Sequence, residues 1–251
     1  TMVSISILQP RKREILNKAR KASLPAQIAE TMWVLSGRDD VEFLSRYLPR
    51  AKDFSDDGKV WRGGYGPRLR KNSTGQDPLW EVVKLLRKDP ETRRAVISIW
   101  DNDRDYVDSK DIPCNDTLHF LARDGVLELH VFTRSNDIIW GWSGINQFEW
   151  SALLELVAAL TGMKMGALHF SISSLHLYKQ HYERGRQIIS ASDPVEPLDR
   201  TPRDDRFGLS AYTSEEDLYR WFGKWFMGEE NARGEHARVT STVGTRGISS
   251  L

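Results

Sequence analysis

Apolar and polar residues alternate most regularly over two neighbouring runs. Residues 118–122 place Leu118, Phe120 and Ala122 on one side and predict a strand. Asp124 and Gly125 follow, a pair that accepts the positive φ of a tight turn, so residues 126–132 read as the return strand of a hairpin. Shorter alternations over residues 4–8, 94–100 and 167–173 predict further strands, the first stopped at Pro10. Helical spacing appears elsewhere. Residues 23–36 begin at a capping Ser23, tolerate Pro25 in the first turn and end at Gly37, with Leu24, Ile28, Met32 and Leu35 sharing a face. Residues 77–87 turn Leu79, Val82, Val83 and Leu86 inward, and residues 146–161 repeat Trp150, Leu153, Leu154, Val157 and Leu160 before Gly162. Strands and helices in this mixture predict an α+β fold.

After residue 190 the pattern changes. Pro194, Pro197 and Pro202 among many charges read as a linker, and Ser214 with Asp217 caps one more helix, over about residues 214–226. From Gly228 onward, glycine, serine and arginine predict a mobile tail. The expected organisation is a catalytic domain over residues 1–190 and a C-terminal extension over 191–251.

With 251 residues and 39% hydrophobic content, the chain can bury one substantial core. Lys and Arg number 36 against 35 Asp and Glu, and a net charge of +1 disfavours nucleic acid as a partner. The basic stretch from Arg11 to Lys21 reads mostly as solvated surface, with one arginine available for an anion. One cysteine excludes an intrachain disulfide and provides no zinc pattern, so no metal is expected. With no signal peptide or membrane span evident, a cytoplasmic location is expected.

Cys114 is that cysteine. A lone cysteine is most often a small buried hydrophobe. Its company alters the reading, because the hairpin returns Arg134 and Ser135 to its side, an arrangement suited to an activated thiolate beside a bound anion. Glu30 lies among apolar residues, at a helix edge or in a pocket; an ordinary exposed glutamate has the better base rate. Glycines around Tyr65 let backbone approach something closely or form a flexible loop. His176 and Tyr178 share one face of an extended strand, to grip a sugar hydroxyl or to sit half-buried.

Pro113-Cys114 before a strand, then Arg134-Ser135-Asn136-Asp137, then Gly144-Ile145-Asn146 opening a helix, then His176-Leu177-Tyr178, resembles the thymidylate synthase superfamily. The Glu30 helix, the Tyr65-Gly66 turn and the Arg93-Arg94 pair match upstream elements of the same family. The wording around Asn136 and Asn146 looks like its divergent branch of nucleotide hydroxymethylases. The resemblance implies a mixed sheet packed with helices and a homodimer formed through that sheet. It implies Cys114 as nucleophile at C6 of a pyrimidine nucleoside 5′-monophosphate, with Glu30, Tyr65 and Asn115 serving the proton and water chemistry. Arg134 and Ser135, with Arg93 and Arg94 reaching across the dimer, would hold the phosphate. Asn136 and Asp137 belong to the same binding motif, Asn146 would read the base edge, and His176 and Tyr178 the sugar. Glu149, one turn beyond Asn146 on its helix, could accept from a cytosine amino group, but a surface glutamate has the better base rate. The carbon donor implied is 5,10-methylenetetrahydrofolate. Asn115 departs from the family's usual histidine, Ser174 from its aspartate, and no folate-closing C-terminal segment is recognisable. Asn115 and the missing closing segment favour a hydroxymethylated product; the alternatives are thymidylate synthase proper and a catalytically inactive nucleotide-binding dimer partner.

Overall fold

Alternation becomes one buried and one open face of a five-stranded sheet. The computed structural model describes residues 1–191 and 211–245, with side chains as far as residue 233. Strands β1 (Val3–Ile7), β2 (Val96–Ser98), β3 (Asn115–Arg123), β4 (Val126–Thr133) and β6 (Lys164–Ile172) lie in the order β1-β6-β4-β3-β2. β4 and β6 run parallel, and the other pairs are antiparallel. A two-stranded parallel sheet joins β5 (Asn136–Asp137) to β7 (Leu175–His176). The β3–β4 hairpin turns where expected, with φ of 51° at Asp124 and 73° at Gly125.

The helices are α1 (Leu24–Leu35), α2 (Val41–Ser45), α3 (Tyr65–Arg70), α4 (Pro78–Lys88), α5 (Asn102–Asp105), α6 (Gln147–Thr161), α7 (Tyr182–Ser190) and α8 (Glu215–Thr245). α6 packs against β4, β6, α1 and α4, which is why Trp150, Leu153, Leu154 and Val157 are fully buried. Leu118, Phe120, Leu129, Val131, Leu168 and Phe170 complete this core from the sheet. Their neighbours on each strand face the other way, and that face carries Val96, His119, His130 and Phe132.

Local chemistry places the helix ends. Ser23 and Asp77 accept from the backbone of Ala26 and Trp80. Asp137 Oδ1 accepts from Ile139 and Trp140 and so starts a π-helical segment, Ile138–Asn146, ahead of α6. Alternation alone predicted no such segment. Its wide turns are held from outside, for Arg20 donates to Ile139 O and, at 3.0 Å, to Ser143 Oγ.

Arg20 corrects the reading of residues 11–21 as solvated surface, since it is buried. Arg11 and Arg13 both pair with Glu155 of α6. Ile28 is 40% exposed and lies off the buried face of α1, which is formed instead by Ala29, Met32, Trp33 and Leu35. The 94–100 strand shortens to Val96–Ser98. Tyr65 starts a helix rather than lying in a loop.

The chain divides into two compact units, Thr1–Ala211 and Tyr212–Leu251. In the second, Ser214 and Asp217 cap each other reciprocally, as expected. The helix then runs to Thr245 rather than ending near residue 226; Glu229, Glu230, Ala232 and Arg233 just after Gly228 favour its continuation, and Arg233 pairs with Glu229. Pro194, Pro197 and Pro202 and the last six residues lie outside the described residues.

One ion pair ties α5 to α3. Arg68 and Asp105 are almost wholly buried and bond at 2.6 and 2.8 Å, while Arg68 also donates to Ile99 O. Asp105→Asn leaves the guanidinium buried without its charge partner and is expected to cost about 3 kcal/mol. Urea unfolding of both proteins checks this; a loss below about 1 kcal/mol would mean that water relieves the buried arginine.

Candidate active site

β3 opens with Asn115 in the core beneath α6, and Cys114, half-buried, stands immediately before it. Asn115 is fully buried, and its Oδ1 accepts from Trp150 Nε1 at 3.3 Å. Trp150 in turn packs against the Tyr65 ring, with centroids 5.5 Å apart. One turn before Trp150, Asn146 Nδ2 donates to Glu149 Oε1 at 3.3 Å. The Glu30 carboxyl of α1 lies close enough to Glu149 for its charge to oppose ionisation of Glu149. A strand end, two helices and the start of α3 thus bring Cys114, Asn115, Tyr65, Glu30 and Asn146 together.

Arg134 closes the other side. Its backbone N–H bonds Cys114 O at 3.1 Å, and its guanidinium donates to Pro113 O at 2.9 Å and Ile112 O at 3.2 Å. The same guanidinium lies 4.0 Å from Cys114 Sγ. An open cavity of about 700 Å³ reaches Arg134 from Trp100, Tyr106 and Asp116, but neither Cys114 nor Glu30 lines it.

Burial dominates the electrostatics. Desolvation pushes Glu30 up to about 7 and raises Glu149 further, the neighbouring carboxyl adding to it. Tyr65 is held protonated by burial, with the charges of Cys114 and Glu149 as lesser causes. Cys114 reverses an expectation. Arg134 does pull its thiol down, but burial outweighs it, aided by Asp116 and Asp111, and the net shift is upward.

Asn136 and Asp137 sit in β5, paired with Leu175 and His176 of β7. Both ends of the buried Asn136 amide lack a hydrogen-bond partner. Gly141 lies so close to that amide that any Cβ there would strike it. Asp137 acts as a helix cap. The His176 ring meets the Tyr178 ring edge-on at 5.0 Å, although Tyr178 lies beyond the two-residue strand and is exposed. Ser135 follows Arg134 at partial exposure.

Arg93 and Arg94 do not join this group within one chain. Phe120 N–H bonds Ala95 O, which places the two arginines beside the far half of β3. At about 3.3 Å per residue they stand roughly 20 Å from Cys114. Both are exposed.

Glu149 corrects the reading that favoured a surface glutamate, since it is 1% exposed. A signal existed: it lies three residues after Asn146, hence on the same helical face, and next to the core residue Trp150.

The sequence model of the thymidylate synthase family matches residues 11–212. This chain belongs to that family. It is similar to three phage proteins named deoxyuridylate hydroxymethyltransferase. The Delftia phage PhiW-14 protein is 34% identical over 217 residues, covering 82% of this chain and 60% of that one. The Bacillus phage SP01 protein is 37% identical over 191 residues, 72% of this chain and 50% of that one. The Pseudomonas phage M6 protein is 36% identical over 180 residues, 71% of this chain and 51% of that one. The chain therefore spans 50 to 60% of the length of these relatives. The crystal structure of thymidylate synthase from T4 phage matches with a TM-score of 0.68, covering 88% of this chain and 82% of that one. At 23% identity that match establishes the fold, the α+β architecture expected.

Glu30 predicts a pH signature. A carboxyl that titrates at about 7 folded and near 4.5 unfolded holds its proton longer in the native state. Stability therefore falls as pH rises from about 4.5 to about 7, by about 3 kcal/mol over that interval, and levels off above it. Glu30→Gln removes this loss, so the variant should gain on the parent at pH 8 and not at pH 4. Denaturant titrations at both values check it; equal differences at the two pH values would mean that Glu30 titrates normally.

Proposed function

We propose that this chain transfers a one-carbon unit to C5 of 2′-deoxyuridine 5′-monophosphate and releases the 5-hydroxymethyl nucleotide. The observation carrying this reading is Cys114, set 4.0 Å from Arg134 and joined electrostatically to the half-buried Tyr65. Similarity to proteins named deoxyuridylate hydroxymethyltransferase supports the same chemistry and the uracil base.

Pyrimidine C5 is a weak nucleophile. Attack of the Cys114 sulfur on C6 forms a C–S bond and moves the ring electron pair to C5 and O4, so that C5 can take up carbon. Methylenetetrahydrofolate supplies that carbon at the oxidation level of formaldehyde, so hydroxymethylation consumes no hydride. Once C5 carries the carbon, loss of the C5 proton expels tetrahydrofolate by cleavage of its C–N bond and leaves an exocyclic methylene; water adds to that methylene, and cleavage of the C–S bond restores the C5–C6 double bond and returns Cys114. Because burial holds the thiol protonated, its proton must leave as the nucleotide settles. Glu30, titrating at about 7, can accept and return a proton at neutral pH. Tyr65, kept protonated, serves as a donor.

Glu149 orients the base reader. One Nδ2 hydrogen of Asn146 goes to Glu149, which leaves the second hydrogen and Oδ1 side by side. That donor–acceptor pair complements O4 and N3–H of uracil. Arg134 and Ser135 would bind the phosphate, His176 and Tyr178 the sugar, and the unpaired Asn136 amide offers further polar contacts. Asn115, clamped by Trp150 where the family usually has histidine, leaves a different polar surround for water at the C5 substituent. The exposed Arg93 and Arg94 fit a homodimer in which each copy reaches the phosphate of the other.

Three measurements test this. A 5-fluorinated deoxyuridylate with the folate should give a covalent adduct by intact mass, absent in Cys114→Ala, forming faster as pH rises through the raised thiol pKa. An adduct in Cys114→Ala removes Cys114 from the role. Turnover should yield 5-hydroxymethyl nucleotide with tetrahydrofolate; stoichiometric dihydrofolate with a methylated product would make the chain a thymidylate synthase in activity. Cys114→Ala and Arg94→Ala should each be nearly inactive, yet partly active after refolding together, because a mixed dimer can hold one intact site. No recovery from a well-folded mixture would count against shared sites.

A further inference from the structure

The open face of the main sheet carries a line of imidazoles unconnected to Cys114. His119 on β3 stands opposite His130 on β4, and His130 stands opposite His169 on β6. Glu128, two residues before His130, projects from the same face of β4. The His130 and His169 rings stack with centroids 4.6 Å apart and planes 19° from parallel.

We propose that Glu128, His130 and His169 form a binding site for a first-row divalent cation of the zinc type. One donor atom from each of the three lies within 4.8 Å of the others. Glu128 Oε2 stands 3.5 Å from His169 Nε2 and 3.9 Å from His130 Nε2. Ligands of a tetrahedral ion at about 2.0–2.1 Å stand about 3.3 Å apart, so small side-chain rotations close the site. Two imidazole nitrogens with one carboxylate oxygen are a donor set that zinc accepts, with a fourth position left to water.

A second observation concerns His169. Its Nδ1 bonds Ser6 Oγ at 2.8 Å, from the strand on its other side. Its Nε2 is buried and has no hydrogen-bond partner. With a proton on Nδ1 held by Ser6, Nε2 presents its lone pair toward Glu128, the arrangement that hydrogen-bonded metal ligands adopt. His119 stands apart from the trio, since its Nε2 lies 3.2 Å from Arg93 O. All three ligands come from one chain. The sheet face is the one the proposed homodimer would cover, so each copy would bring its own ion there.

Zinc ion is the probe. The full chain, stripped with a chelator and titrated in a calorimeter, should bind one equivalent per chain and melt at a higher temperature. His130→Gln and His169→Gln should each weaken binding at least tenfold, and Ser6→Ala by about tenfold. His119→Gln and Cys114→Ala should bind like the parent. Circular dichroism confirms folding of each variant. No saturable uptake by the parent, uptake retained by the His130→Gln/His169→Gln double variant, or uptake lost in Cys114→Ala would each overturn the site.

Discussion

Burial of polar chemistry at the contact between α6 and the start of β3 is the constraint on which the rest depends. Trp150 fills the core and hands its N–H to Asn115, and that contact fixes where the strand begins. Cys114 is then held one residue outside the barrier, and Glu149 and Asn146 hang from the same helix face. Water is excluded by the apolar residues that stabilise the sheet, so every ionisable group in the cluster shifts toward its neutral form. Glu30, Glu149, Tyr65 and Cys114 all follow that direction.

Neutrality at rest has a functional consequence. A cluster carrying several fixed charges in a dry core would repel itself and cost stability, whereas neutral groups wait for a ligand that brings charge with it. A nucleotide phosphate beside Arg134 would alter the field at Cys114 Sγ, 4.0 Å from the guanidinium. The supporting frame is rigid for the same physical reason. Arg68, Arg70 and Arg20 are buried cations, each tied to protein oxygens, and together they hold the loops before β3, around α3 and before α6.

The open face of the sheet obeys a different rule. Alternation turns the residues between core positions onto this face, and three adjacent strands happen to bring histidines into register there. Parity along a strand decides which face a residue takes. Register between strands decides which residues meet there.

The sequence by itself determined the hairpin, whose Asp124-Gly125 turn is a local matter of φ, and the caps at Ser23 and Ser214. It also determined the order of motifs by which family membership and fold were legible, along with Cys114, Glu30, Tyr65 and Asn146 as candidates. What it did not determine depends on residues distant along the chain. Arg20 looked like one more surface cation because nothing near it reveals the carbonyl of Ile139, which lies 119 residues on. Glu149 looked like a surface carboxylate because helical spacing gives a face but not what covers it. The thiol shift could not be read from the arginine beside it, since desolvation is the sum of everything packed around Cys114 and here exceeds a single charge at 4.0 Å. The Glu128, His130 and His169 group is separated by as much as 41 residues, 169 − 128, and only strand register brings it together. Short-range sterics write turns and caps into a sequence, but solvent exclusion and register exist only once the chain has folded.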